Sequence, residues 1–159
     1  MTCWHGVSAA IRQVELRSLL TDQGVWLEIA VYTRLQKSDL FHHISMDAVV
    51  CWDNDDDPDN NVENEIDVIA ARGLGQLFIS CKTGMPDAAA LNELAVLVRR
   101  FGSRYACGML VTTQEVAKKA KLRLRAAQLG LHVIDRNSMP EPAFMKALQT
   151  ITARWGEII

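Results

Sequence analysis

Two carboxylates and a lysine stand where a strand pair should be apolar. Residues 65–82 read EIDVIAARGLGQLFISCK, two runs of strand-forming residues joined by a turn containing Gly73 and Gly75. This pattern predicts a β-hairpin with a short loop. Side chains alternate along a strand. Glu65, Asp67 and Ile69 are therefore expected on one face of the first strand, and Phe78, Ser80 and Lys82 on one face of the second. Charge inside a sheet is costly unless it is paired or holds a metal. Hard divalent ions such as Mg²⁺ and Mn²⁺ take oxygen ligands and keep several waters. Asp67 can supply one ligand and Glu65 another. Lys82 cannot bind a metal while protonated. Beside a phosphate it is a compact positive charge that can orient a nucleophile or offset developing negative charge. Metal-assisted hydrolysis of a phosphodiester is the reaction that uses all these parts.

The elements around the hairpin supply a third carboxylate. Val25–Leu35 (VWLEIAVYTRL) reads as a helix apolar on most sides, with stripes Val25–Ile29–Tyr32 and Leu27–Val31–Leu35. Glu28 sits in its middle. It either pairs with a cation such as Arg34 or points from a core helix into a charged site. Residues 8–20 predict a short helix with Ser8 as a possible N-cap, so residues 1–22 form a helical lead-in. A strand lies within Phe41–Trp52, most clearly from Asp47. Residues 53–64 (DNDDDPDNNVEN) follow as an acidic, solvated loop. They do not form a calcium loop, because Pro58 stands where glycine is needed and Asn64 where glutamate is needed.

After the hairpin, Asp87 is expected to cap a helix running to about Phe101 and closed by Gly102. Tyr105–Val111 reads as a buried strand, parallel to its neighbour because a helix precedes it. A helix over 114–129, a strand at Leu131–Ile134 and a helix opened by Pro140 complete the chain. The prediction is a single α/β domain over residues 1–159. Its mixed central sheet is a β-meander followed by αβαβ, flanked by helices.

Composition narrows the function classes. The chain has 159 residues, enough for one domain with a real core, and a net charge of −2, so no overall basic field advertises nucleic acid. Charge is uneven, with an acidic stretch at 53–67 and a basic one at 118–125. Cys3, Cys51, Cys81 and Cys107 form no C-x-x-C pair and read as reduced, buried thiols. No signal peptide and no bilayer-length apolar run is legible, so a cytoplasmic protein without membrane contact is expected. His42 and His43 lack zinc spacing, and His132 reads as a core histidine. The four tryptophans are dispersed and offer no stacking platform. Gly73 and Gly75 lack the helix and third glycine of a dinucleotide site, and no G-x-S-x-G occurs.

Taken together, these segments resemble a known family. A helix carboxylate at Gly24-Val25-Trp26-Leu27-Glu28, then Asn64-Glu65-Ile66-Asp67-Val68, then Phe78-Ile79-Ser80-Cys81-Lys82-Thr83, is similar to the PD-(D/E)xK, or restriction-endonuclease-like, superfamily. The wording is closest to the C-terminal nuclease domain of CARF-containing CRISPR ancillary effectors. The resemblance spans roughly residues 10–135 and includes the helix with Glu93-Leu94. It implies Asp67 as central metal ligand, Glu28 as the helix carboxylate near the metal and Lys82 as the catalytic lysine. Ser80 occupies the position where the superfamily usually carries an acidic residue, which leaves the site one carboxylate short unless Glu65 or Glu28 compensates. The resemblance also implies Mg²⁺ or Mn²⁺, a DNA or RNA substrate and a homodimer. The cyclic-oligonucleotide sensor domain of those proteins is expected to be absent from this chain.

A basic rim fits the same reading. Lys118, Lys121 and Arg125 form a stripe on the predicted helix 114–129, and Arg99, Arg100 and Arg104 can extend it. An ordinary solvated helix face is the competing explanation. The expected function is therefore metal-dependent cleavage of nucleic acid, in antiviral defence by resemblance. The alternative, prompted by Ser80, is a non-catalytic nucleic-acid-binding or dimerisation domain on the same fold. A structural domain whose hairpin charges merely form ion pairs is a remote third.

Overall fold

The computed structural model describes residues 24–51, 63–116 and 119–156. The lead-in helix, Trp52 and residues 53–62 of the acidic loop lie outside the described residues. So do Cys3 and Lys118. Residues 63 and 64, expected in that loop, instead begin a strand.

The elements are α1 (Val25–Ser38), β1 (His43–Cys51), β2 (Glu63–Arg72), β3 (Gly75–Lys82), α2 (Ala88–Phe101), β4 (Ala106–Thr112), α3 (Ala120–Gln128), β5 (Leu131–Ile134) and α4 (Ala143–Gly156). The five strands form one mixed sheet in sequential order. β1, β2 and β3 run antiparallel as a meander, and β3, β4 and β5 run parallel. The β2–β3 turn has only two residues between the paired Arg72 and Gly75. Gly73 takes φ 56° there, a conformation that glycine adopts without steric cost.

Both parallel crossovers step the same way across the sheet, and α2 and α3 pack on the same face. A uniform crossover hand requires this. That face buries Phe78, Leu91, Leu94, Leu110, Ala126 and Leu131. The other face buries Leu27, Val31 and Leu35 of α1 and Phe144, Leu148, Ile151 and Trp155 of α4, against Val68, Leu77, Ile79, Met109 and Val111. Of the two stripes expected on α1, only Leu27–Val31–Leu35 is fully buried, and Ile29 is exposed. The indole of Trp155 fills the space a side chain at Gly75 would need, since a Cβ there would lie 2.1 Å from the ring.

Two helices, α3 and α4, start later than expected, α4 at Ala143 and not at Pro140. Asp87 caps α2 by accepting from Ala90 N–H, as expected. Gly102 closes α2, as expected, in an extended conformation, and its lack of a side chain admits Ala106 and the Val98 carbonyl. The helix expected from residue 114 starts only at Ala120. The intervening chain is committed elsewhere. Gln114 donates to the Thr83 carbonyl, and Val116 N–H donates to the carboxylate of Asp135. Cys51 is exposed at the end of β1, against the expectation of a buried thiol, because β1 is an edge strand.

Asp135, just past β5, is buried and gathers five donors. These are the backbone N–H groups of Val116, Asn137 and Ser138, the hydroxyl of Ser138, and Arg123 at 3.1 Å. Burial raises its carboxyl pKa, but the bonds from Ser138, Val116 and Arg123 outweigh that and hold it below the ordinary range. Stabilisation from this network is complete above the unfolded value, near 3.8, and is lost as pH falls through the lower folded value. Asp135→Ala should cost about 3 kcal/mol of stability near neutral pH. Denaturant melts should show the difference from the unmodified protein narrowing as the solution is acidified below the ordinary aspartate range.

Candidate active site

The cleft begins where the sheet stops being continuous. Pairing of β2 with β3 runs from Arg72–Gly75 up to Val68–Ile79 and goes no further. β2 nevertheless continues back to Glu63 beside β1, and β3 continues to Lys82 beside β4. The sheet is therefore forked, with β1 and the start of β2 on one prong and β3 and β4 on the other. Within the fork, the Asp67 Oδ2 accepts from Cys81 N–H. A side-chain carboxylate thus takes the place of the neighbouring strand's carbonyl, which satisfies a backbone donor that the parting of the strands would otherwise orphan.

Glu65, Asp67, Ser80 and Lys82 line one part of this cleft, opposite Ala90 and Glu93 of α2. Glu28, Asp67, Cys81, Lys82 and Glu93 line its continuation toward the start of α1 and the loop at 83–87. Asp67, Lys82, Ala90 and Glu93 belong to both parts. Lys82 is fixed at the end of β3 by the next strand. Thr113 Oγ1 donates to the Thr83 carbonyl at 2.7 Å, and Thr112 Oγ1 donates to the Gly84 carbonyl at 3.0 Å.

The strict alternation expected for β2 does not hold across Asp67. Ile66 packs with the α2-side cluster, whereas Val68 and Ala70 pack with the α1-side cluster. β1 switches in the same place, with Ile44 and Met46 on the α1 side and Val50 on the α2 side. The switch falls at Asp47, which holds φ 52° between the pairs Met46–Val68 and Ala48–Ile66. A non-glycine residue at positive φ is uncommon, though aspartate tolerates it better than most. Glu65 therefore does not share a face with Ile69. Its charge still acts on Glu28.

Glu28 shows the electrostatic character of the site. Its pKa is pushed from 4.5 to about 7, first by burial, then by the negative charges of Asp67, Asp47 and Glu65, with Lys82 opposing them. Among the described residues it forms no ion pair, and Arg34 instead lies over the Phe144 ring, 6.0 Å from its centre. Asp47 was not expected to contribute, because an aspartate at the start of a strand gives no sequence signal of this kind. The Cys81 thiol is also pushed up, by burial and then by Asp67 and Glu28, which keeps it protonated and unsuited to act as a thiolate ligand or nucleophile. His132 is held neutral by burial and by Arg154, as befits a core histidine.

Among the described residues, no three His, Cys, Asp or Glu side chains are already set around one point for a metal ion. The donor chemistry nevertheless fits a hard divalent cation. The cleft offers carboxylate and hydroxyl oxygens, and the charge opposing ionisation of Glu28 is the charge a cation would neutralise.

The basic candidates separate. Lys121 and Arg125 line a groove with Met85 and Pro86, which also border the cleft, so these two cations lie beside it. Arg125 donates to Asn92 Oδ1 at 2.8 Å. Arg104 lies at the opposite end of the sheet. It precedes Ala106, which pairs with Gln76, whereas Lys82 pairs with Thr112, and its guanidinium stacks over Tyr105. Arg104 is therefore not part of a rim around the cleft. No described helix is long and apolar enough to cross a membrane.

The forked mixed sheet, with a helix carboxylate, a strand aspartate and a lysine at the fork, is the architecture of a restriction-endonuclease-like nuclease domain. Residues 15–150 match the model of the Card1-like endonuclease domain, and the chain belongs to that family. The fold is similar to that of protein VC1899 from Vibrio cholerae, with 25% identity and a TM-score of 0.74 over 91% of this chain and 37% of that one. It is also similar to Can2 from Sulfobacillus thermosulfidooxidans, solved in complex with cyclic tetra-adenylate, with 19% identity and a TM-score of 0.62 over 87% of this chain and 46% of that one. A third likeness is to AF1548, a protein of unknown function, with 21% identity and a TM-score of 0.53 over 81% and 67% of the two chains. The chain thus spans less than half the length of the first two relatives. No curated protein matches it.

Glu28 supplies a test of the site's charge balance. A carboxyl raised in the folded state loses stabilisation as pH climbs from its unfolded value, near 4.5, to its folded value near 7. Metal-free Glu28→Gln should therefore melt at about the same temperature as the unmodified protein at pH 4.5, and several degrees higher at pH 8. Melts in a chelating buffer at the two pH values check this.

Proposed function

We propose that this domain hydrolyses phosphodiester bonds in nucleic acid with the help of a divalent metal ion. The observation that carries the reading is the fork itself, where Glu28, Asp67 and Lys82 face one cleft from three separate elements. Family membership in the Card1-like endonucleases supports it. Asp67, Glu28 and Glu65 would hold Mg²⁺ or Mn²⁺. When bound, the ion supplies Lewis-acid polarisation of the scissile phosphate and activation of water. Asp67 keeps its place through its bond to Cys81 N–H, so ligation by its other oxygen requires no loss of backbone bonding. Glu28, with its pKa near 7, must release a proton to serve as a ligand, so metal binding near neutral pH is expected to be accompanied by proton release. Lys82 orients the attacking water or neutralises charge on the phosphate.

Lys121 and Arg125 would guide the phosphate backbone into the cleft without reading sequence. Control by a cyclic oligonucleotide, by analogy with the cyclic tetra-adenylate complex of Can2, and homodimerisation and a role in CRISPR-associated defence, by family resemblance, are properties of a whole protein and belong to this proposal. The competing reading, binding without cleavage, rests on Ser80 in the cleft. It predicts salt-sensitive binding with no metal-stimulated cleavage.

Asp67→Asn and Lys82→Ala should each lower divalent-dependent cleavage of DNA or RNA by about 10²-fold or more. Cleavage left unchanged by both substitutions would sink the reading. Lys121→Ala should weaken nucleic-acid binding and reduce the slope of log affinity against log salt by about one. Arg104→Ala should change neither, and binding measured across a salt series compares the two.

A further inference from the structure

We infer that Glu93 of α2 supplies the metal-binding carboxylate that Ser80 does not. The inference rests on the nuclease reading above. Ser80 and Glu93 face the same part of the cleft from opposite walls, strand and helix. Ala90, Glu93, Leu94 and Leu97 are spaced as one helix face, and all four line that wall. Leu94 is fully buried, so the face is anchored against the sheet. Glu93 is its one charged member.

Glu93 also borders both parts of the cleft, a property it shares only with Asp67, Lys82 and Ala90 among the described lining residues. Ala90, one turn earlier, is small and leaves the helix wall open there. Among the described residues Glu93 makes no hydrogen bond or ion pair, so its carboxylate is free to serve a ligand. It lines the part of the cleft that holds Ser80 and also the continuation that holds Glu28. A cation between Asp67 and Glu93 would have carboxylates on two walls, with Ser80 contributing at most a neutral hydroxyl.

The test is Mn²⁺ binding by titration calorimetry, with cleavage as a second readout, on the unmodified protein, Glu93→Gln, Asp67→Asn and the double variant Ser80→Glu/Glu93→Gln. Glu93 is exposed, so Glu93→Gln should keep its melting temperature in chelator. It should bind Mn²⁺ at least tenfold more weakly. The double variant, with a carboxylate restored on the strand wall, should recover most of that loss. If Asp67→Asn weakens Mn²⁺ binding while Glu93→Gln does not, or if the double variant binds no better than Glu93→Gln, the assignment of Glu93 is overturned and the nuclease reading stands. If the unmodified protein binds no Mn²⁺ and cleaves nothing, both fail together.

Discussion

The hydrogen bond from Cys81 N–H to the Asp67 carboxylate is the constraint on which the site depends. Two antiparallel strands part only if the donors and acceptors they stop sharing find other partners. Here an aspartate reaches across the gap and replaces one rung of the ladder. The prongs can then separate without orphaning the Cys81 N–H, and a polar cleft opens inside a sheet whose faces are otherwise apolar. The same residue fixes the electrostatics. Its charge, with those of Asp47 and Glu65, opposes ionisation of Glu28. Structure and chemistry are joined in one side chain, so a substitution at Asp67 removes a backbone partner as well as a ligand.

Other features serve to hold the fork at a fixed opening. Lys82 ends its strand in a loop bonded to Thr112 of the adjacent strand and to Thr113 just after it. α1 is pinned by Leu27, Val31 and Leu35 on one side of the cleft, and α2 by Leu91 and Leu94 on the other. The reactive groups therefore come from elements whose positions are set by two separate hydrophobic layers. The positive φ at Asp47 is a local cost carried by this arrangement, of order 1 kcal/mol for a non-glycine residue. It turns β1 so that the strand can follow β2 through the point where both exchange faces.

Much of this was legible in the sequence. The meander, the parallel crossovers and β5 follow from apolar runs punctuated by glycine and by Asp87, and Glu28, Asp67 and Lys82 follow from charge where burial was expected. What escaped was whatever depends on departure from regular geometry. Strict alternation placed Glu65 on the face of Ile69, because nothing in Glu65–Ile69 announces that β2 twists between Ile66 and Val68. The late start of α3 was hidden because Gln114 and Val116 suit a helix well. Only the buried Asp135, with Asn137 and Ser138 just after it as turn formers, hints that the preceding chain is wanted elsewhere. Arg104 looked like part of a basic rim because sequence proximity to β4 does not say which end of the strand faces the cleft.

The serine at position 80 takes on a different meaning in the fork. On a closed sheet, an acidic residue lost from one strand could be replaced only by a same-face neighbour on that strand or the next. An open fork removes that restriction, because the helix wall of α2 faces the strands across the cleft. A carboxylate on the helix can then serve the same cation from the other side. Electrostatics favours such relocation. Asp67, Glu65 and Asp47 already act on Glu28, and burial first, then their charges, leave it only partly ionised near neutral pH. A further anion on β3 would add to the repulsion felt by Asp67 in the metal-free protein. Glu93, exposed on the opposite wall, places the charge where solvent screens it.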